Sequence, residues 1–218
     1  METVYFKYGD KEIEYLKAKD KKLAAVIDQI GHIDRECYDD LFEAVVNSII
    51  GQQISTKAHQ SIWKRMKDEL GNIDDAKILA TDREKLQSYG ITWRKADYII
   101  EFTNKVNTGE FDLNAINYMT DEEAISALSS LKGIGVWTAE MILLFCLQRP
   151  DIFSYGDLAI LRGVRMVYHH KELSKERFER YRKRFSPYCS IASLYFWAVA
   201  GGAIPELKDN APQKAKTK

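Results

Sequence analysis

An all-α fold is predicted for this chain, and three observations carry the prediction. Apolar residues recur at helical spacing along most of its length, and residues that favour helix N-caps precede several of those stretches. Strand signals are confined to residues 1–16. There the stretches VYFKY and EIEYL, with the turn pair Gly9-Asp10 between them, predict a short strand or two.

From 39 to 50 (DDLFEAVVNSII) apolar residues fall at 41, 42, 45, 46, 49 and 50, which is helical. Residues 55–70 repeat the pattern through 58, 62, 63, 66 and 70, and Gly71-Asn72 supplies a C-cap. GQQIS separates the two. Helices over 74–80 and 82–88 follow, then one from Thr92, as N-cap, to 106. Thr120 and Glu123 in TDEE form a capping box ahead of apolar positions 124, 125, 128 and 131. The turn KGIG interrupts, and a second helix runs over 136–147 until Arg149-Pro150 stops it. Another starts at or after Asp157 (DLAILRGVRMVY), and helices over 174–185 and 187–200 complete the set.

The 218 residues suffice to bury a sizeable core as one domain or two small subdomains. Lys plus Arg and Asp plus Glu both number 32, so net charge gives no argument for nucleic acid and local clustering must be read instead. Nine Lys or Arg face three Glu between 162 and 185, a contact face or a solvated one. The last eleven residues, KDNAPQKAKTK, read as a basic flexible tail. Cys37, Cys146 and Cys189 lie too far apart for a disulfide framework or a zinc site and are too few for a four-cysteine cluster. A reducing compartment is expected, cytoplasmic or, in a eukaryote, nuclear. The amino terminus lacks the apolar run of a signal peptide. Residues 185–205 are uncharged, yet with two prolines, three serines and paired glycines they predict a buried helix rather than a membrane span.

LKGIGVWTAE (131–140) is the most informative stretch. Glycine takes positive φ and lets backbone approach another object. The helix that follows offers N–H groups without internal partners, which suits a phosphate. An ordinary helix–helix turn explains the same residues. Asp157 has two readings as well: an N-cap, or a functional carboxylate. Arg94 and Lys95 open a helix that either approaches a polyanion or faces solvent. Arg162 and Arg165, three apart, share a face toward phosphate or a carboxylate. His169-His170 lacks partners at metal-ligand spacing.

LKGIGVWTAE followed by FSYGDLAI (153–160) resembles the helix-hairpin-helix base-excision DNA glycosylases, and among them the DNA-3-methyladenine glycosylase II branch. AVVNSIIGQQISTKA (44–58), YGITWRKADYI (89–99) and SPYCSIASLYFWAVAG (186–201) support it, so the similarity covers most of residues 38–202 in the family's order. The resemblance implies two small helical subdomains flanking a DNA-binding and catalytic cleft. Residues 36–205 would form the glycosylase domain, residues 1–35 a short extension packed on it, and 206–218 the tail.

It also implies roles. Asp157 is the catalytic carboxylate, beside a sugar that becomes oxocarbenium-like as the base departs. Leu131, Lys132, Gly133 and Gly135 grip the DNA backbone, with Na+ or K+ held by the Leu131 and Gly133 carbonyls and no organic cofactor. Gln53 fills the stack vacated by the flipped base; a polar kink with Ser55 as N-cap explains GQQIS equally. Trp137, Met141, Tyr155 and Trp197 line the base pocket, where electron-rich rings suit cationic alkylated purines. Core packing is the other reading for Trp197. Met141 replaces an aromatic residue of the best-known branch. Bifunctional relatives carry a lysine where Trp137 stands, so water-dependent, monofunctional removal of bases such as 3-methyladenine and 7-methylguanine is implied. The partner is duplex DNA, with no membrane, no obligate protein partner and a monomeric state. A non-catalytic helix-hairpin-helix DNA-binding module is the alternative.

Overall fold

A computed structural model describes residues 3–212 and is mostly helical, with thirteen helices and one two-stranded sheet among the described residues. Two compact units emerge: residues 38–147, and the described residues up to 37 together with those from 148 onward. Residues 213–218 of the expected basic tail lie outside the described residues.

The interrupted unit begins with β1 (Val4–Tyr5), which pairs antiparallel with β2 (Glu36–Cys37). VYFKY thus contributes a strand. EIEYL does not, which corrects the sequence expectation: it lies in α1 (Asp10–Lys19). The Gly9 N–H donates to Glu12 Oε2 at 2.9 Å, a local bond that starts a helix, and Leu16 is buried. α2 (Lys21–Ile30) follows at once, unforeseen from sequence. Its N-cap Asp20 accepts from Lys22 N and Leu23 N, and Leu23, Val26 and Ile27 form a short buried stripe. α11 (Leu158–Tyr168), α12 (Lys175–Phe185) and α13 (Cys189–Ala200) complete the unit, with α2 packed on α11 and α13.

Its core is aromatic. Phe153 stacks on Phe178 with centroids 4.3 Å apart, and Phe185 and Phe196 close around the pair. The tightest contact is α11 against α13: a Cβ placed on Gly163 would lie 2.1 Å from the Phe196 carbonyl oxygen. Only glycine lets the two backbones come so close.

The continuous unit holds α3 (Leu41–Gly51), α4 (Thr56–Leu70), α5 (Asp75–Leu79), α6 (Arg83–Ser88), α7 (Trp93–Asn107), α8 (Leu113–Ile116), α9 (Asp121–Ser129) and α10 (Val136–Phe145). The expected caps are present: Ser55 Oγ accepts from Ala58 N, Thr92 Oγ1 from Lys95 N, and Thr120 with Glu123 forms the capping box. Gly71 closes α4 at φ +70°. Among the described residues no helix is long and apolar enough to cross a membrane.

Candidate active site

The candidate residues fall into two groups, one in each unit. In the interrupted unit Asp157 is the N-cap of α11 and is only 6% exposed. One oxygen, Oδ1, accepts three N–H donors: Ala159 N at 2.9 Å, Ile160 N at 2.8 Å and the Trp197 indole Nε1 at 3.1 Å. Asp157 therefore caps α11, as its N-cap reading expects, and the Trp197 indole adds a third donor to the same oxygen. Trp197 is part-buried on α13 and reaches Asp157 because Gly163 seats that helix against α11. Tyr155 is 37% exposed, with its ring edge-on to Phe178 at 5.2 Å. Leu158, directly after the carboxylate, is 80% exposed and was not singled out from sequence.

Arg162 and Arg165 do share a face, and a carboxylate occupies it. Arg165 donates through Nε and Nη2 to the two oxygens of Asp209 at 3.0 and 2.7 Å, and Arg162 Nε lies 3.8 Å away. His170 Nε2 is hydrogen-bonded to the Tyr181 hydroxyl at 2.8 Å. No group of three or more metal-ligating side chains occurs among the described residues.

In the continuous unit α9 and α10 flank the turn at 130–135. Leu131 and Ile134 anchor it, each under 5% exposed, with Ile134 N donating to Leu131 O at 3.0 Å. Gly133 takes φ +85°, and a Cβ there would meet the Tyr98 ring at 2.5 Å. Gly135 is the N-cap of α10 and, having no side chain, gives that helix no side-chain cap. Lys132 pairs with Glu101 at 2.8 Å and remains 64% exposed.

Two side chains tie the GQQIS turn to this hairpin. Gln52 Nε2 donates to the Gly133 carbonyl. Lys95, expected on a DNA-facing or solvent face, instead donates to the carbonyls of Ile50 at 2.8 Å and Gln52 at 2.6 Å, orphaned at the end of α3. Burial, with the neighbouring Arg94 charge, lowers its pKa. Gln53 stands exposed at φ +56°, a left-handed conformation that projects it from the turn.

Between turn and hairpin this unit encloses a cavity of about 570 Å³ lined by Gln53, His59, Trp137 and Met141, among others. Trp137 is 46% exposed. His59 was not foreseen. It shares a helical face with buried Ile62 and Met66, the only sequence signal it carries. Burial lowers its pKa, the Lys95 charge adds to that, and the Asn47 backbone opposes it. Its Nε2 is buried without a hydrogen-bond partner among the described residues.

A hairpin whose second helix begins uncapped at glycine, and a later helix that begins at a buried aspartate, are both contained in the family model that matches residues 46–187: HhH-GPD superfamily base excision DNA repair protein. The chain belongs to this superfamily. A DNA-3-methyladenine glycosylase of Saccharomyces cerevisiae is 30% identical over 201 residues, spanning 74% of this chain and 67% of that one. One from Bacillus subtilis is 25% identical over 176 residues, covering 73% of this chain and 57% of the relative. The chain also spans 58% of the length of a second B. subtilis relative. Among solved HhH-GPD-like structures, a DNA-3-methyladenine glycosidase from Bacillus halodurans superposes with a TM-score of 0.82 at 30% identity, over 93% of this chain and 95% of that one. A 3-methyladenine DNA glycosylase of Schizosaccharomyces pombe, solved with abasic DNA, shares the fold at a TM-score of 0.77 and 24% identity.

Proposed function

We propose that this protein is a monofunctional DNA glycosylase that hydrolyses the N-glycosidic bond of alkylated purines, 3-methyladenine and 7-methylguanine among them, in duplex DNA. The names of the relatives support the substrate class. The observation that carries the chemistry is Asp157: three N–H donors hold one oxygen of a buried carboxylate, fixing the group next to exposed Tyr155 and Leu158. As the base leaves, positive charge develops on the sugar, and a preorganised carboxylate stabilises it without reorganisation at the moment of reaction. Trp137 stands where bifunctional relatives carry a nucleophilic lysine, so water completes the reaction and leaves an abasic site in an intact strand.

In this proposal the uncapped start of α10 takes the DNA backbone, and Gln53 fills the gap left by the flipped nucleotide. The Leu131 and Gly133 carbonyls each accept one internal hydrogen bond and retain a second lone pair, a donor set compatible with Na+ or K+. Bound there, the cation would bridge the hairpin to a phosphate. Trp137 and Met141 offer polarisable surface to a cationic purine.

The test is chromatography of free bases released from methylated duplex DNA, comparing the parent with Asp157→Asn. The amide keeps an oxygen that can cap α11, so the fold should persist. Release should fall roughly 10²–10³-fold. A folded parent that binds DNA and releases no base would favour the non-catalytic hairpin module, and equal release by both proteins would remove Asp157 from the chemistry.

A further inference from the structure

We infer that the corner formed by α2, the end of α11 and α12 is an additional phosphate-backbone surface for duplex DNA; the inference rests on the DNA-directed function proposed above. Three of the nine basic residues between 162 and 185 are set beside carboxylates. Arg162 and Arg165 are engaged by Asp209, and Arg184 by the buried Asp20. Arg177 and Arg180, one turn apart and exposed on α12, have no ion pair among the described residues, and neither has Lys22 on α2. On α12 the buried residues Phe178, Tyr181 and Phe185 define the inner face, which turns the two free arginines outward.

The corner also has a built floor. Tyr168 and Tyr181 pack with centroids 4.3 Å apart, and His170 bonds to Tyr181. Lys22 Nζ lies 5.7 Å from the Tyr168 ring, and the Arg184 guanidinium 5.4 Å from that of Tyr181. Burial lowers the His170 pKa first, and the charges of Arg177 and Lys22 lower it further. Lys22 of α2 and the Arg177 and Arg180 pair of α12, remote from it in sequence, therefore bring unpaired positive charge to one corner. The opposing carboxylates are Asp20, already bound to Arg184, the exposed Glu172 and Glu176, and the half-buried Glu179.

Two observations favour DNA over an acidic protein. None of the large exposed apolar side chains among the described residues comes from α2 or α12, so an apolar interface core is missing. Asp157 and His169 lie at opposite ends of α11, whose 11 residues span about 17 Å. That is about five phosphate steps along a strand. A duplex that presents its flipped nucleotide to Asp157 and runs along α11 would bring flanking backbone to the corner.

The experiment measures DNA affinity against salt for the parent and the triple variant Lys22→Gln, Arg177→Gln, Arg180→Gln, using duplexes of one and of three helical turns. Lys64→Gln, an exposed lysine paired with Asp68, serves as the control. On the longer duplex the triple variant should show a log–log salt slope shallower by about 2–3, with Lys64→Gln unchanged. Single-turnover base release at saturating DNA should match the parent. Equal slopes for a folded triple variant overturn the proposal. So does a poly-glutamate competitor that displaces the corner's ligand as well as duplex does, which assigns the corner to an acidic protein. A shallower slope in a protein that never releases a base leaves this surface standing and refutes the glycosylase instead.

Discussion

Two helix N-termini in this protein are used in opposite ways. α11 begins at Asp157, whose carboxylate satisfies the first N–H groups and is itself held by them and by Trp197. α10 begins at Gly135, which has no side chain with which to cap it. The neighbouring glycines follow the same division. Gly163 brings two buried backbones together, whereas a Cβ on Gly135 would meet nothing within 4 Å. A helix start that binds its own anion fixes that carboxylate in place, and one without a side-chain cap can take an acceptor from elsewhere.

The largest stability effect should separate these glycines. Gly163→Ala forces α11 away from α13 and should cost about 3 kcal/mol, a fall in Tm of about 6–12 °C by thermal unfolding. Gly135→Ala, with φ −92° and open space, should leave Tm within about 1 °C of the parent while weakening DNA binding. Comparable melting losses for the two would break the contrast.

Trp197→Phe comes next. It removes one of three donors to Asp157 and keeps the packing, so base release should fall about tenfold with about 1 kcal/mol lost in denaturant unfolding. Parental turnover in that variant would make the two backbone N–H groups sufficient. Lys95→Met leaves the Ile50 and Gln52 carbonyls without their donor and should cost about 1–2 kcal/mol. Its DNA affinity should fall too, because the turn it holds carries Gln53; intact affinity would uncouple turn from grip. The smallest change is expected from Gln53→Gly. Relief of the left-handed conformation offsets glycine's greater entropy, so stability should stay within about 0.5 kcal/mol. Base release from duplex should drop, and release from single-stranded DNA should not.

The elements bounded by strong caps were legible in sequence. Ser55, Thr92, Thr120 and Asp157 each precede a helix by one residue. α1 and α2 were not, because EIEYL alternates like a strand and the buried stripe of α2 is only three residues long. α8 has four residues and no period to detect. Asp157 could be singled out through its neighbourhood. What surrounds it could not: Trp197 lies 40 residues away, and Gln52 meets Gly133 across 81. Single hydrogen bonds at such separations leave no periodic trace in the chain. His59 and Leu158 stayed hidden for a related reason, since each looks ordinary until its exposure is known.

The interleaving of the two units sets an order of events during synthesis. Residues 38–147 are continuous and meet all their partners as they emerge, whereas the helices before residue 38 pack on helices after residue 148. At about 5–20 residues per second, α1 and α2 wait roughly 10–30 s, with Leu16, Leu23, Val26 and Ile27 uncovered, before α11 and α13 exist to receive them. The unit bearing the carboxylate is therefore the last to close, and Asp157 lacks its third donor until α13 brings Trp197 to it.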